Sequence, residues 1–199
     1  NKADLVLEYE RLFDSSTSEF TRDTNRYALA IAYYENRQFA KASATLEPLL
    51  EKDPNRISYV VTLAEILTEQ NEPGQAIEFL QRHLAINPGN NALTTAYVDA
   101  LIEARSYTTA SEIMERHSLS RPNDLQLWFK LAETQGQAGN ISQVHQARAE
   151  YFRLLRDYQR ARQQLRSALK IESDNGIAPA EEARLRQKIQ EIEKLQQNV

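Results

Sequence analysis

The sequence predicts an all-α chain: a right-handed α-solenoid of helix–turn–helix repeats with a C-terminal capping helix. Three observations carry that expectation. Prolines recur in similar settings, Asp53-Pro54-Asn55, Asn87-Pro88-Gly89 and Arg121-Pro122-Asn123, each 34 residues after the last. A proline lacks the backbone donor that continues a helix, so a fixed proline interval marks a fixed supersecondary unit. Ala42, Ala76 and Ala110 keep the same interval, as do Phe39, Pro73 and Tyr107. Finally, the 199 residues are 41% hydrophobic yet hold only 5 Gly and 6 Pro, and those breakers fall between helical patterns.

Taken in order, residues 1–22 form a leading helix and a loop. Leu5, Val6, Tyr9, Leu12 and Phe13 have helical spacing and predict one apolar stripe. Asp14-Ser15-Ser16-Thr17-Ser18 breaks it and supplies a helix cap. A repeat array follows over 23–171, with units 23–56, 57–90 and 91–124. A period of 34 is that of the tetratricopeptide helix pair, in which an Ala on the second helix lets the two helices approach closely. Leu29-Ala30 and Tyr33 precede Ala42 and Leu46 in the first unit. Leu63-Ala64 and Leu67 precede Ala76 and Leu80 in the second. Tyr97 and Leu101 precede Ala110 and Met114 in the third. The segment 125–171 is irregular. Trp128-Phe129-Lys130-Leu131-Ala132 opens a fourth unit, and Gly139-Asn140 makes its turn. The next turn, Arg156-Asp157-Tyr158, comes early, so the helix near 142–155 is expected to serve two units. Residues 172–199 are a loop and a capping helix. Pro179 stands in the first turn with Glu181 and Glu182 behind it, and Leu185, Ile189, Ile192 and Leu195 line one face.

Composition narrows function. Lys and Arg number 24 against 28 Asp and Glu, a net charge of −4, which argues against a nucleic-acid partner. Absence of cysteine excludes disulfides, thiol catalysis and cysteine metal sites. No apolar run reaches the ~20 residues of a membrane span. The chain opens Asn1-Lys2-Ala3 without an initiator Met, and is expected to be processed or excised from a longer one. There is no HExxH, phosphate loop or nucleophile elbow. His83 and His117 are 34 apart and read as packing residues, with a metal pair as the alternative. No enzyme activity and no cofactor are expected of these residues.

Function is then expected on the exposed faces of the first helices of each pair. Their register places Tyr27, Ile31, Tyr34 and Glu35 on the groove side, followed by Val61, Glu65 and Glu69, by Asp99, Ile102 and Glu103, and by Phe129 and Glu133. The acids stand in register. Glu35, Glu69 and Glu103 also occupy last turns, where the helix dipole disfavours acid by ~0.3–1 kcal/mol. They are either solvated carboxylates or a groove for neutral or basic extended segments. A second cluster is basic: Arg148, Arg153, Arg156, Arg160 and Arg166, with Arg162 and Lys170. It is either a solvated hairpin or a docking face for an acidic partner domain.

Residues 145–170 are more specific. Ala147, Arg148, Ala149, Glu150, Ala161, Gln164 and Leu165 resemble the last repeat of the BepA-type periplasmic zinc metalloproteases, the beta-barrel assembly-enhancing family. Arg156 departs from it where Gly is usual, and Arg162 where an apolar residue is usual. The resemblance implies a C-terminal repeat domain in the periplasm that packs on its own N-terminal protease domain. It implies contacts with outer-membrane β-barrel substrates and the barrel-assembly machinery. Zinc is implied only in that protease domain, whose HExxH would precede Asn1, and no site residue transfers. The implied role is a protein–protein interaction module assisting assembly or quality control of outer-membrane β-barrel proteins. The alternative is a free-standing adaptor or assembly lipoprotein without a protease domain.

Overall fold

A computed structural model describes residues 2–176 and 178–197. The described chain is a succession of eleven α-helices. They are α1 (Lys2–Asp14), α2 (Glu19–Glu35), α3 (Phe39–Lys52), α4 (Ile57–Glu69), α5 (Pro73–Ile86), α6 (Asn91–Glu103), α7 (Tyr107–Ser120), α8 (Leu125–Gln137), α9 (Ile141–Leu154), α10 (Tyr158–Asp174) and α11 (Pro179–Gln197). The chain divides into two compact units, Asn1–Arg105 and Ser106–Val199.

Helix starts follow local chemistry. Ser18, Asn90, Asp124 and Asp157 cap α2, α6, α8 and α10, each accepting from a backbone N–H three residues on. Pro73 opens α5, where its missing N–H costs nothing.

The tight turns share one device. Arg37, Asn71, Arg105 and Gly139 adopt positive φ (57°, 64°, 57° and 78°) at intervals of 34, and Arg156 does so at 59°. After α2, the Gln38 N–H donates to the Tyr33 carbonyl (2.8 Å) and the Arg37 N–H to Tyr34 (2.9 Å). That is the paired bonding that ends a helix on a left-handed residue. It recurs at Asn71-Glu72, Gly139-Asn140 and Arg156-Asp157. Gly139 and the Arg156-Asp157 turn are marked in the sequence; the left-handed residues Arg37, Asn71 and Arg105 are not. The Arg156 departure now has a physical meaning: Arg stands in a conformation that glycine adopts without steric conflict.

In the first unit, α2 packs on α3, α3 on α4, α4 on α5, and α5 and α4 on α6. Ala30, Ala42, Ala76, Leu46 and Leu80 are fully buried. Helix α1 packs chiefly on α2 through Val6, Tyr9 and Phe13. The Tyr33 hydroxyl donates to Glu10 (2.6 Å). Burial, with that acceptor, pushes Tyr33 up to about 12. The expected single apolar stripe splits here: Val6 is buried, whereas Leu5 and Leu12 are 46% and 40% exposed.

In the second unit α9 packs against both α8 and α10, and α10 against α11. Ala149, Ala161, Leu165, Ala168, Leu185, Ile189 and Ile192 form one core. Leu195, expected on the inner face of the capping helix, is exposed.

Candidate functional site

In the first unit, α4 neighbours both α2 and α6. Ile31, Val61 and Ile102 are half-buried, while Glu35, Glu65, Glu69 and Glu103 are exposed. Three carboxylates, those of Glu65, Glu69 and Glu35, act on Tyr34, whose phenol is raised first by burial and then by them; Arg37 opposes. Glu65 is itself raised above the ordinary carboxylate range. Desolvation is the main cause, followed by Asp99 and Glu35. Four acids from three helices therefore share one neighbourhood, and no cation offsets Glu65 among the described residues.

Two of the three last-turn acids, Glu35 and Glu69, are paired with cations. Glu35 accepts from Lys2 Nζ (2.9 Å), which also reaches the Glu35 carbonyl (3.0 Å). Glu69 pairs with Arg37 at 3.7 Å. Each is balanced by a cation of the preceding segment, so their placement needs no ligand to explain it. Tyr27 is likewise a brace. Its hydroxyl lies 3.0 Å from Thr62 Oγ1 and 3.3 Å from the Ser58 carbonyl, and its ring packs on Tyr59 with centroids 5.0 Å apart. Tyr34 leans on Phe39 (5.9 Å). Beside them opens a cavity of about 380 Å³ lined by Lys2, Tyr34, Glu35, Asn36, Arg37, Phe39 and Glu69.

In the second unit, Phe129 is exposed and its ring meets Tyr151 at 5.8 Å, which meets Phe152 edge-on at 5.5 Å. Glu133 is exposed one turn further along α8.

Much of the basic cluster is neutralised internally. Arg153 donates to Glu150 (2.7 Å) and to the Pro122 carbonyl (3.3 Å). Arg160 pairs with Asp157 (3.4 Å) and lies over the Phe152 ring (5.6 Å). Arg166 and Arg162 reach Glu193 on α11 at 3.2 and 3.6 Å. Arg148 and Arg156 remain exposed. Sequence reasoning missed Lys188 and Glu193, the charges of the capping helix that complete this network. Glu150 is its hub, bound also by Lys188 (3.1 Å) with 18% of its side chain exposed. Burial alone would raise its carboxyl, but Lys188 and Arg153 hold it below the usual range. Gln164 meets His145 Nδ1 at 2.7 Å. The residues of the 145–170 pattern thus serve packing and cohesion, Arg148 excepted.

The donor set does not fit zinc. Cysteine is absent, and no group of three His, Asp or Glu among the described residues could hold a metal ion. His83 and His117 are buried, and burial lowers both; His83 packs edge-on to Phe79 at 4.7 Å. No described helix is long and apolar enough to cross a membrane.

Two family profiles, each described as Tetratricopeptide repeat, match residues 27–91 and 67–133. Among curated proteins, the chain is similar to the putative beta-barrel assembly-enhancing protease of Vibrio cholerae serotype O1, 25% identical over 178 residues. That match covers 89% of this chain and 37% of the relative. The beta-barrel assembly-enhancing protease of Escherichia coli (strain K12) is 27% identical over 174 residues, 86% of this chain and 34% of that one. The chain therefore spans about a third of these relatives. Among solved structures, a tetratricopeptide repeat protein from Parabacteroides merdae superposes with a TM-score of 0.60 at 14% identity, over 98% of this chain and 77% of that one. YrrB, a TPR protein with an unusual peptide-binding site, gives 0.56 at 14% identity, over 80% and 81%. At such identities the likeness is one of fold.

Proposed function

This chain belongs to the tetratricopeptide repeat family, and on that premise we propose that it is a protein-binding module of a periplasmic zinc metalloprotease and chaperone. In this reading it presents outer-membrane β-barrel polypeptides for assembly or quality control, and the zinc chemistry belongs to another domain. The two curated relatives support the assignment. The observation that carries the binding face is Glu65. Its ionised form is disfavoured by desolvation and by two neighbouring acids, and Ile31, Val61 and Ile102 are half-buried on α4 and the helices beside it. A cation from an extended segment would relieve the charge, while the apolar residues would hold its aliphatic side chains. In the second unit, Phe129 and Glu133 are exposed on α8 and form a separate candidate face. Arg148 and Arg156 are what remains of a basic face for the protease domain or the assembly machinery.

The test places a photo-crosslinking residue at Val61 and offers the chain an unfolded outer-membrane β-barrel polypeptide or an unfolded all-α protein. The barrel polypeptide is expected to give the stronger adduct, weakened by salt and by Glu65→Gln with Asp99→Asn. Equal adducts with both polypeptides, or none, would overturn the reading.

A further inference from the structure

Helix α1 carries an apolar arc of which only part is covered. At 3.6 residues per turn, Leu12, Leu5, Tyr9, Phe13 and Val6 span about 120° of α1. In α3 the same angular places, 37 residues on, are held by Leu49, Ala42, Leu46, Leu50 and Ser43. There the Ala42–Leu49 side is covered, 0% and 2% exposed, because α3 packs on both α2 and α4. The α5 counterparts Ala76 and His83 are buried too, between α4 and α6. In α1 the places of Ala42 and Leu49 belong to Leu5 and Leu12, which remain 46% and 40% exposed, while Val6, Tyr9 and Phe13 pack into the first core.

We infer that α1 is the second helix of a repeat pair, and that the Leu5–Leu12 face is a docking site for a first-type helix of that pair. The repeat itself identifies the occupant. In the neighbouring pairs α3 and α5 pack on α2 and α4, amphipathic helices that carry the buried small residues Ala30 and Ala64. Because Leu5 is bulkier than Ala42 or Ala76, the incoming helix must present Gly or Ala opposite it. The site is distinct from the acidic face of α2, α4 and α6 and does not depend on its use.

The test joins a copy of residues 57–72, which is α4 with its turn, directly to Lys2. That junction puts Leu5 where Ala76 stands after α4; the copy carries Ala64→Gly to make room. The extended chain is expected to melt roughly 5 °C higher, with slower hydrogen exchange in α1. Leu5→Gln with Leu12→Gln should abolish that gain yet shift the unextended chain by only about 1 °C, since both residues are surface-exposed. No gain on extension, or a gain that survives the double substitution, would overturn the inference. Sedimentation of the unextended chain as a dimer that the double substitution disperses would also overturn it, giving the face to a second copy.

Discussion

Glu65 and Glu150 both stand on repeat helices, and their surroundings treat them oppositely. Glu150, on α9, is taken largely out of water and given Lys188 and Arg153; the ion is favoured and its carboxyl falls below the usual range. Glu65, on α4, is only partly desolvated, beside Asp99 and Glu35, and its carboxyl rises. The first arrangement makes charge a source of cohesion. The second sets the Glu65 charge against like charge rather than opposite charge, at a cost to the chain's own stability.

The largest expected break in that contrast comes from Glu150→Ala. It would strand Lys188 and Arg153, and because the site is not fully dry the loss should be about 2–3 kcal/mol rather than the larger figure for a sealed pair. Urea unfolding of the full chain measures it; an unchanged midpoint would reduce the network to decoration. Its pH dependence has a definite sign. A folded pKa below the ordinary value stabilises above the unfolded pKa of Glu, and the contribution is lost as pH falls through the folded value. The chain with Glu150→Gln should therefore lose less stability in acid than the native chain.

Next comes Ala76→Leu. Ala76 is fully buried where α5 crosses α4, and overpacking there should cost about 1–3 kcal/mol. If the melting curve does not move, first-unit cohesion does not rest on these close crossings. Arg156→Gly should stabilise by roughly 0.5 kcal/mol. Relief of the left-handed strain at φ 59° outweighs the extra entropy of an unfolded glycine. A loss of stability would mean that the Arg156 side chain contributes more than its backbone costs.

The smallest effect on stability, and the one that sharpens the contrast most, is Glu65→Gln. A raised carboxyl destabilises progressively as pH climbs from the unfolded pKa through the folded one, and the full penalty persists above it. Removing the charge should therefore stabilise the chain at neutral pH, by only a few tenths of a kcal/mol because solvent screens an exposed group. The gain should vanish below the ordinary Glu pKa. Thermal unfolding at pH 3 and pH 7 tests this. A destabilised variant at neutral pH would show that the acid is satisfied after all.

What could be read from the chain alone divides along a physical line. Helical periodicity, the alanine crossings and the 34-residue interval are local or near-neighbour signals, and Ala42, Ala76, Leu46 and Leu80 are buried accordingly. Partners distant in sequence carry no such signal. Glu150 and Lys188 are 38 residues apart, and charged residues are common on both helices. Periodicity assigns a face to Leu5 and Leu12 but cannot say whether a neighbour covers it. The last-turn acids illustrate the same limit, since a dipole argument within one helix could not see Lys2 or Arg37 arriving from another. The left-handed turns at Arg37 and Arg105 were invisible because arginine has no turn signature, unlike Gly139.

Helix α9 has one more consequence. The second helices α3, α5, α7 and α9 begin at Phe39, Pro73, Tyr107 and Ile141, while α10 begins at Tyr158, half a period later. A step of half a period changes parity: what closes one pair opens the next. Duplication or deletion of a 34-residue block up to Ile141 preserves the alternation of first and second helices. Beyond it, α9 packs on both α8 and α10, and α10 on α11, so loss of α10 alone leaves the faces of α9 and α11 unmatched, whereas loss of α10 and α11 together keeps α9 paired with α8.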